Sequence, residues 1–254
     1  MISKNKIKLL KCLHNKKYRL RQQKAILEGR RLIDEAINSN ADIETIWFTT
    51  EALANNTNAL LIDKIKNNKI LYDEMTFDDL DVLSNTENSQ GIIAEINIKK
   101  YIQSKITNIK DDNILILDGL SDPGNLGTIL RTCAWYNIKS IILTSDCVDP
   151  FNSKCLRSGV GAHFYFDNIV NVNRGDVIKY LHDNKYDVYC ADLQGTTLSD
   201  INPKNKWAVI LGSEAHGLNS DFNIFSKITI SKYGNIESLN ASVACGIILD
   251  NFIN

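Results

Sequence analysis

Residues 114–136 read Ile-Leu-Ile-Leu-Asp-Gly-Leu-Ser-Asp-Pro-Gly-Asn-Leu-Gly-Thr-Ile-Leu-Arg-Thr-Cys-Ala-Trp-Tyr. The apolar run at 114–117 predicts a strand that is buried on both faces, which is typical of a parallel sheet. A glycine-bearing loop then leads into a helix predicted over about 126–136, for which Asn125 is a candidate N-cap. A buried strand followed by a loop and a helix indicates an α/β fold.

The chain after this unit continues to alternate strands and helices. We predict strands at 140–144, 186–191, 207–211 and 227–230 and a closing helix at 238–253. This order favours a mostly parallel sheet with helices on both faces. Ligands of such sheets bind outside the carboxyl ends of the strands. The loops expected there are 119–125, 212–217 and 233–240.

The N-terminal part shows a second, smaller alternation. In chain order we predict a helix at 22–39, a strand at 45–49, a helix at 60–67 and strands at 70–72 and 90–98. The sequence therefore divides into a small α/β domain at 1–98, a polar linker at 99–112 and a main domain at 113–254.

The composition is that of a globular protein. The 254 residues are 44% hydrophobic, with 29 basic and 30 acidic side chains, which excludes a disordered, collagen-like or coiled-coil chain. Apolar runs are far shorter than the roughly 20 residues of a membrane span, and no secretory pattern opens the chain. Six scattered cysteines are typical of reduced thiols. We expect a cytoplasmic protein, or one of an organellar matrix in a eukaryote, without a membrane partner.

Charge is distributed unevenly along the chain. Residues 1–31 hold eleven Lys and Arg against one acid, a net charge of +10, and the remainder carries −11. Clustered cations suit a polyanion such as RNA, because they displace counterions from phosphates. A solvated, partly disordered segment explains the same charge run, and the composition does not choose between the two.

The three loops at the predicted sheet edge hold small and polar residues. No GxGxxG, GxxxxGK[ST] or GxSxG motif is present, and the histidines lack metal-ligand spacing, so no metal is expected. Asn125 and Ser238 each have an ordinary explanation as helix caps, and Arg131 as a surface charge. Gly212 and Gly217 would let a ligand approach the backbone closely. Three such loops at one edge indicate a binding site.

Three ordered segments resemble the motifs of one family. Residues 122–134 (DPGNLGTILRTCA) are similar to the first motif of the SpoU–TrmH family of RNA 2′-O-ribose methyltransferases, in the SPOUT superfamily. Residues 209–218 (VILGSEAHGL) resemble its second motif and 230–244 (ISKYGNIESLNASVA) its third. Residues 157–164 and 90–94 also resemble family segments, so the likeness covers nearly the whole chain.

The resemblance implies a fold, a cofactor and partners. The fold would be an α/β SPOUT domain with a knotted parallel sheet, preceded by a small α/β RNA-binding domain that resembles a ribosomal-protein fold. S-adenosylmethionine would be held largely by backbone groups in the knot, and two such domains would pair as a homodimer. The residues implied for cofactor binding are Leu211, Gly212, Gly217, Ile230 and Leu239.

The resemblance also implies catalytic residues. Arg131 matches the family's catalytic arginine, which is proposed to take the ribose proton. Because arginine is normally protonated, an anchor for the adjacent phosphate that also orients the hydroxyl is the simpler role. Asn125 and Glu214 match residues that support this arginine, and Ser238 and Asn240 match polar residues beside the target nucleotide and the methionine end of the cofactor.

Two departures and several alternatives remain at this point. Ala25 stands where the family often has Phe, and Ile230-Ser-Lys232 replaces the usual Ile-Pro-Met. We expect 2′-O-methylation of large-subunit ribosomal RNA. A transfer RNA substrate, an antibiotic-resistance methyltransferase, a base methyltransferase of another SPOUT branch and an RNA-binding protein with an inactive domain are the alternatives.

Overall fold

The computed structural model describes residues 1–102, 105–203, 205–213 and 216–254. Its helices are α1 Lys4–Cys12, α2 Lys16–Gln22, α3 Arg30–Asn38, α4 Thr50–Ala54, α5 Ala59–Asn67, α6 Phe77–Leu83, α7 Lys99–Ile102, α8 Pro123–Trp135, α9 Ser153–Gly159, α10 Arg174–Asp183 and α11 Ala241–Ile253. Its strands are β1 Lys24–Glu28, β2 Ile43–Phe48, β3 Tyr72–Glu74, β4 Ile92–Asn97, β5 Asn113–Asp118, β6 Ser140–Thr144, β7 Asn168–Val172, β8 Asp187–Thr197, β9 Trp207–Gly212 and β10 Ser226–Thr229. Helices and strands thus alternate along most of the chain.

The chain divides into two compact units. The first contains Met1–Ile102 together with Asp149–Phe164, and the second contains Gln103–Val148 and Tyr165–Asn254. The segment 149–164, which the sequence places in the main domain, therefore belongs to the first unit. One reason is the ion pair between Arg19 and Asp149, in which both side chains are almost fully buried. A buried arginine needs such a partner, and this one is 130 residues distant in sequence.

The first unit is built on a four-stranded sheet in the order β1-β4-β2-β3. Strand β4 runs antiparallel to β1 and β2, and β3 runs parallel to β2. The helix predicted at 22–39 is wrong in its first half, which forms β1. The alternating side chains of β1 enter two different apolar clusters, Ala25 and Leu27 in one and Ile26 in the other. Gly29, with φ of +94°, then turns the chain into α3.

The basic N-terminal segment is folded. It forms α1 and α2, and three of its eleven cations form ion pairs with acidic side chains of the described residues. Lys6 and Lys24 pair with the buried carboxylate of Glu95, and Arg19 pairs with Asp149. The remaining eight are exposed: Lys4, Lys8, Lys11, Lys16, Lys17, Arg21, Arg30 and Arg31. Since Glu28, the one acid of residues 1–31, is buried, the exposed ionic side chains of this segment are all basic.

The second unit is built on a six-stranded sheet in the order β10-β8-β9-β5-β6-β7. Every neighbouring pair is parallel, as the sequence predicts. Strand β7 was not expected, and β8 is six residues longer at its carboxyl end than the prediction at 186–191. The extra length pairs with β10 across a register shift, a non-local contact that a local pattern does not record.

Helices α8 and α11 pack against each other in the second unit, where the Tyr136 hydroxyl donates to Asp250 Oδ1 at 2.8 Å. Both helices begin three residues away from their predicted starts. Asp122 caps α8 and Asn240 caps α11, so the N-cap assignments of Asn125 and Ser238 are wrong. No helix in the described part of the chain is long and apolar enough to cross a membrane.

Candidate functional site

The first two motif loops start side by side at the carboxyl edge of the six-stranded sheet. Asp118 ends β5, Gly212 ends β9, and the two residues are partners in the parallel register. The loop of the first motif leaves from Asp118, and the loop of the second leaves from Gly212. The sheet therefore brings together two segments that are nearly a hundred residues apart, at the edge where α/β sheets bind ligands.

The second motif loop closes tightly on its own backbone. Ser213 N donates to Gly217 O at 3.2 Å, and Gly217 N donates to Ser213 O at 2.9 Å. A Cβ atom on Gly212 would overlap the Gly217 carbonyl group and lie 2.6 Å from Leu218 N, so only glycine fits there. Gly217 itself has a φ of +66°, which favours glycine. Glu214, a predicted site residue, lies outside the described residues.

The other predicted cofactor residues offer two kinds of surface. Leu211 is buried in β9, so a ligand at this edge would meet its backbone and not its side chain. Ile230 directly follows β10 and is half-buried. Leu239 lies in the segment before α11 with 40% of its surface exposed. The carboxyl edge of the sheet thus presents backbone groups from β9 and apolar side chains from the third motif.

A side-chain contact joins the first and third motifs. Asn240 Nδ2 donates to Asn125 Oδ1 at 3.0 Å, across 115 residues of sequence. Asn240 Oδ1 meanwhile accepts the backbone N–H of Ser242, which caps α11. Asn125 is the third residue of α8, so its side chain is available to join the two helix starts. Ser238 is exposed two residues before this contact.

Arg131 lies on the exposed face of α8. It is exposed together with Thr128 and Trp135, at the spacing that places three residues on one helix face. Among the described residues, no hydrogen bond or ion pair of its guanidinium group is found. A guanidinium group with free donors on an open face can bind a phosphate through two hydrogen bonds.

A buried carboxylate beneath the two loops was missed by the sequence analysis. Asp118, 2% exposed, accepts from Arg174 Nε at 2.7 Å and from the backbone N–H of Asn219 at 2.8 Å. Arg174 also binds Asp146. Burial opposes the charge of Arg174, but its hydrogen bonds to Asp146 and Asp118 outweigh this effect and raise the pKa of its guanidinium group. An acid at the end of an apolar strand was the available signal, because a buried acid needs a partner.

A profile of the SpoU rRNA methylase family matches residues 112–250 of the chain, which is more than half of its length. The chain belongs to the SpoU rRNA methylase family. Residues 4–94 match the profile of the MRM3-like substrate binding domain. These matches confirm the resemblance on which the fold and the enzyme class were predicted, and this SpoU-family chain is an RNA methyltransferase.

Relatives of this SpoU-family protein extend over nearly its full length. A protein of Synechocystis named as an uncharacterized tRNA/rRNA methyltransferase is 30% identical, over 96% of this chain and 88% of the relative. The 23S rRNA (guanosine(2553)-2′-O)-methyltransferase RlmP of Bacillus subtilis is 29% identical, over 96% of this chain and 94% of the relative. The crystal structure of an AdoMet-bound rRNA methyltransferase from Sinorhizobium meliloti is 23% identical, covers 99% of this chain and 95% of that one, and has a TM-score of 0.82, so the fold is shared.

The potential metal ligands of this SpoU-family protein are dispersed. Among residues 1–102, 105–203, 205–213 and 216–254, no group of three or more His, Cys, Asp or Glu side chains is placed to hold a metal ion. All six cysteines are free thiols. The polar groups that converge at the sheet edge are instead amides, backbone groups and the Asp118–Arg174 pair.

Proposed function

We propose that this protein transfers a methyl group from S-adenosylmethionine to a ribose 2′-hydroxyl of large-subunit ribosomal RNA. The observation that carries the proposal is the meeting of the three motifs of a SpoU methylase at one sheet edge. The register pairs Asp118 with Gly212, and a hydrogen bond pairs Asn125 with Asn240. The Bacillus subtilis relative, similar over almost its entire length, is a 23S ribosomal RNA 2′-O-methyltransferase by name.

The second motif loop, at the carboxyl edge of the sheet, suits S-adenosylmethionine. Gly212 leaves no room for a side chain, and the turn at Gly217 keeps backbone groups at the surface. Backbone groups at Leu211, Gly212 and Gly217 would bind the polar edge of an adenine, Gly217 through its carbonyl oxygen, because its N–H already donates to Ser213. Ile230 and Leu239 would supply apolar contacts. The Sinorhizobium meliloti structure of the same fold is described as AdoMet-bound. The cofactor, when bound, supplies a methyl group on a positively charged sulfur.

Arg131 is the proposed catalytic residue. A substitution at carbon requires the attacking oxygen in line with the methyl group, so positioning the hydroxyl is the main task. Arg131 would bind the phosphate beside the target ribose and orient the 2′-hydroxyl group. Its exposed position suits contact with a large polyanion. This role needs no deprotonated arginine.

The polar residues of the third motif would complete the site. Asn125 and Asn240 hold each other in a fixed orientation, so each presents a defined amide toward the substrate. Ser238, exposed before α11, would contact the target nucleotide, and Glu214 would support Arg131. We propose these roles from the matching motif positions.

The first unit is proposed to bind the RNA substrate, and its sequence matches the MRM3-like substrate binding domain. The eight exposed cations of residues 1–31 give it a basic surface. Exposed Tyr18, on α2 between Lys17 and Arg21, adds a ring on which a base can stack.

The salt dependence of RNA binding tests this surface. Lys17→Ala/Arg21→Ala should make the plot of log affinity against log salt concentration less steep, by roughly 0.7 to 0.9 for each lost phosphate contact. Lys66→Ala/Lys110→Ala, which removes two other exposed lysines, is the matched control and should leave the slope unchanged. Equal slopes for both variants would show that α2 does not contact RNA.

A homodimer is also proposed. The outer faces of α8 and α11 expose Trp135, Val243 and Ile247, on the same two helices whose inner faces pack together. A second copy would bury these apolar side chains. Because Arg131 shares the exposed face of α8 with Trp135, such an interface would place the catalytic residue close to the partner.

Methyl transfer from labelled S-adenosylmethionine tests the proposed function. Unmodified large-subunit ribosomal RNA and bulk transfer RNA would be offered as acceptors, and the methylated nucleoside identified after nuclease digestion. We expect a 2′-O-methyl nucleoside from ribosomal RNA. Arg131→Ala should abolish the transfer, Arg131→Lys should lose most of it, and Lys179→Ala, a control at another exposed cation of the second unit, should retain it.

Other outcomes would contradict specific parts of the proposal. A base-methylated product would place the protein in another SPOUT branch, and transfer to transfer RNA alone would replace the substrate. Near-full turnover by Arg131→Lys would remove the specific role of the guanidinium group. If the wild-type protein does not bind the cofactor and does not transfer a methyl group, it would be an RNA-binding protein with an inactive domain.

A further inference from the structure

Asp118 is a buried charge at the point where the two motif loops leave the sheet. Its carboxylate contacts three groups: the Arg174 guanidinium at 2.7 Å, the Asn219 backbone N–H at 2.8 Å and the Thr144 hydroxyl at 3.2 Å. The residue is 2% exposed, so water does not solvate it. A buried carboxylate stays charged only when cations and hydrogen-bond donors replace its hydration.

Arg174 is the cation of this cluster. It is the first residue of α10, and its side chain reaches from there to the ends of β5 and β6. One nitrogen, Nε, contacts Asp118, and another, Nη2, contacts Asp146. The two carboxylates differ, because Asp146 is half exposed whereas Asp118 is buried. Loss of Arg174 would therefore leave an uncompensated charge at Asp118 but not at Asp146.

The same carboxylate joins the ends of both motif loops. Asp118 directly precedes the loop of the first motif, and Thr144 ties that loop through its hydrogen bond from Gly119 N at 2.9 Å. Asn219, whose backbone N–H donates to the other carboxylate oxygen, directly follows the second motif and lies two residues after its loop. The backbone hydrogen bonds between Ser213 and Gly217 close this loop, and Asp118 binds the chain just after it.

We infer that Arg174 is a positioning residue for the cofactor, acting through Asp118 on the second motif loop. The inference rests on the proposed function, in which Leu211, Gly212 and Gly217 bind the cofactor by backbone groups. Backbone groups bind a ligand well only when the loop already has its bound conformation. Without Arg174, the uncompensated Asp118 carboxylate would turn toward solvent. Asn219 N–H would then lose its acceptor, and the end of the second motif loop would be released.

Calorimetric titration of the full-length protein with S-adenosylmethionine tests this role, with a melting temperature recorded for each variant. Arg174→Met should weaken binding about tenfold, an effect equal to roughly 1.4 kcal/mol. Asp146→Asn is the matched control, because it removes the exposed partner of the same arginine, and should bind like the wild type. Asp118→Asn/Arg174→Met should bind more tightly than Arg174→Met, since the amide oxygen still accepts from Asn219 and no charge is buried.

If Arg174 has only a structural role, Arg174→Met should have a lower melting temperature, while its folded fraction binds S-adenosylmethionine with wild-type affinity. That result would overturn the inference. Equal affinities of the single and double variants would also overturn it. If Arg174→Met does not fold, Arg174→Lys replaces it in the test. Lysine keeps the charge but lacks the planar guanidinium group that reaches two carboxylates, so Arg174→Lys should bind S-adenosylmethionine about threefold more weakly than the wild type. Wild-type affinity in that variant would then contradict the role. No binding by the wild-type protein would refute the proposed function itself, and the inference with it.

Discussion

Two polar residues at the start of the first motif have separate tasks. Asp122 Oδ1 accepts the backbone N–H of Asn125 at 2.8 Å and so caps α8. The side chain of Asn125 instead accepts from Asn240 at 3.0 Å. Because the cap is supplied by Asp122, the function of Asn125 can be altered without opening the helix.

Alanine substitutions should separate these tasks. Asp122→Ala should lower the free energy of unfolding by about 1 kcal/mol, the usual cost of a lost N-cap. Asn125→Ala should change stability much less and lower methyl transfer strongly, because it removes the acceptor that orients Asn240 Nδ2. Denaturant unfolding and methyl transfer would be measured on the same preparations. Equal losses of stability in both variants would show that Asn125 mainly supports the helix.

His163 is a second residue whose environment is decided by folding. It is completely buried, with rings of Phe151 and Phe164 beside it and Cys155 Sγ 3.4 Å from Nε2. Burial lowers the pKa of His163 to about 4. The unfolded chain binds a proton near pH 6.5, so unfolding takes up a proton between these two values.

Stability should therefore fall as the pH is lowered. From pH 6.5 to about 4 the His163 contribution decreases by about 1.4 kcal/mol per pH unit, and above pH 6.5 it is constant. Unfolding free energies of His163→Gln should show a shallower decrease over this range than the wild type. His182→Gln, at an exposed histidine, is the control and should follow the wild type. Parallel curves for His163→Gln and the wild type would contradict the shifted pKa.

At the scale of elements, the turn that ends β9 depends on one glycine. The carbonyl group of Gly217 occupies the space that a side chain of Gly212 would need. Since the obstacle is backbone, and backbone cannot rotate away as a side chain does, Gly212→Ala must move the loop.

Gly212→Ala should abolish binding of S-adenosylmethionine while the six-stranded sheet remains folded. The matched control is Gly246→Ala in α11, where an added Cβ has only an ordinary contact with Thr132 Cγ2 at 3.9 Å. Calorimetry would measure affinity and circular dichroism would measure folding. Wild-type affinity in Gly212→Ala would show that this loop does not form the cofactor site.

The elements that were predicted correctly are those with a local signal. The buried strands β5, β6 and β9 follow from continuous apolar runs, and α5 from its helical periodicity. Strand β1 was predicted as helix because its apolar residues occur at spacings that suit both structures. Pairing with β4, some seventy residues away, decided between the two.

For the whole molecule, the exposed apolar face of α8 and α11 predicts association. Trp135 is 84% exposed and Val243 50%, and a charge at either position would be buried in the proposed interface. Trp135→Glu/Val243→Glu should sediment as a monomer where the wild type sediments as a dimer. Ile224→Glu, at an exposed apolar residue of the same unit, is the control and should remain dimeric. A monomeric wild type would refute the proposed homodimer.

The sequence by itself determined the α/β class, the order of the three motifs and the family, since these depend on apolar runs and residue types along the chain. The tertiary structure alone decided which residues meet. It paired Asn125 with Asn240, aligned Asp118 with Gly212, buried Asp118 against Arg174 and folded segment 149–164 into the first unit. These contacts join residues that are 56 to 130 positions apart, and some depend on strand register. A local sequence pattern carries no information on either.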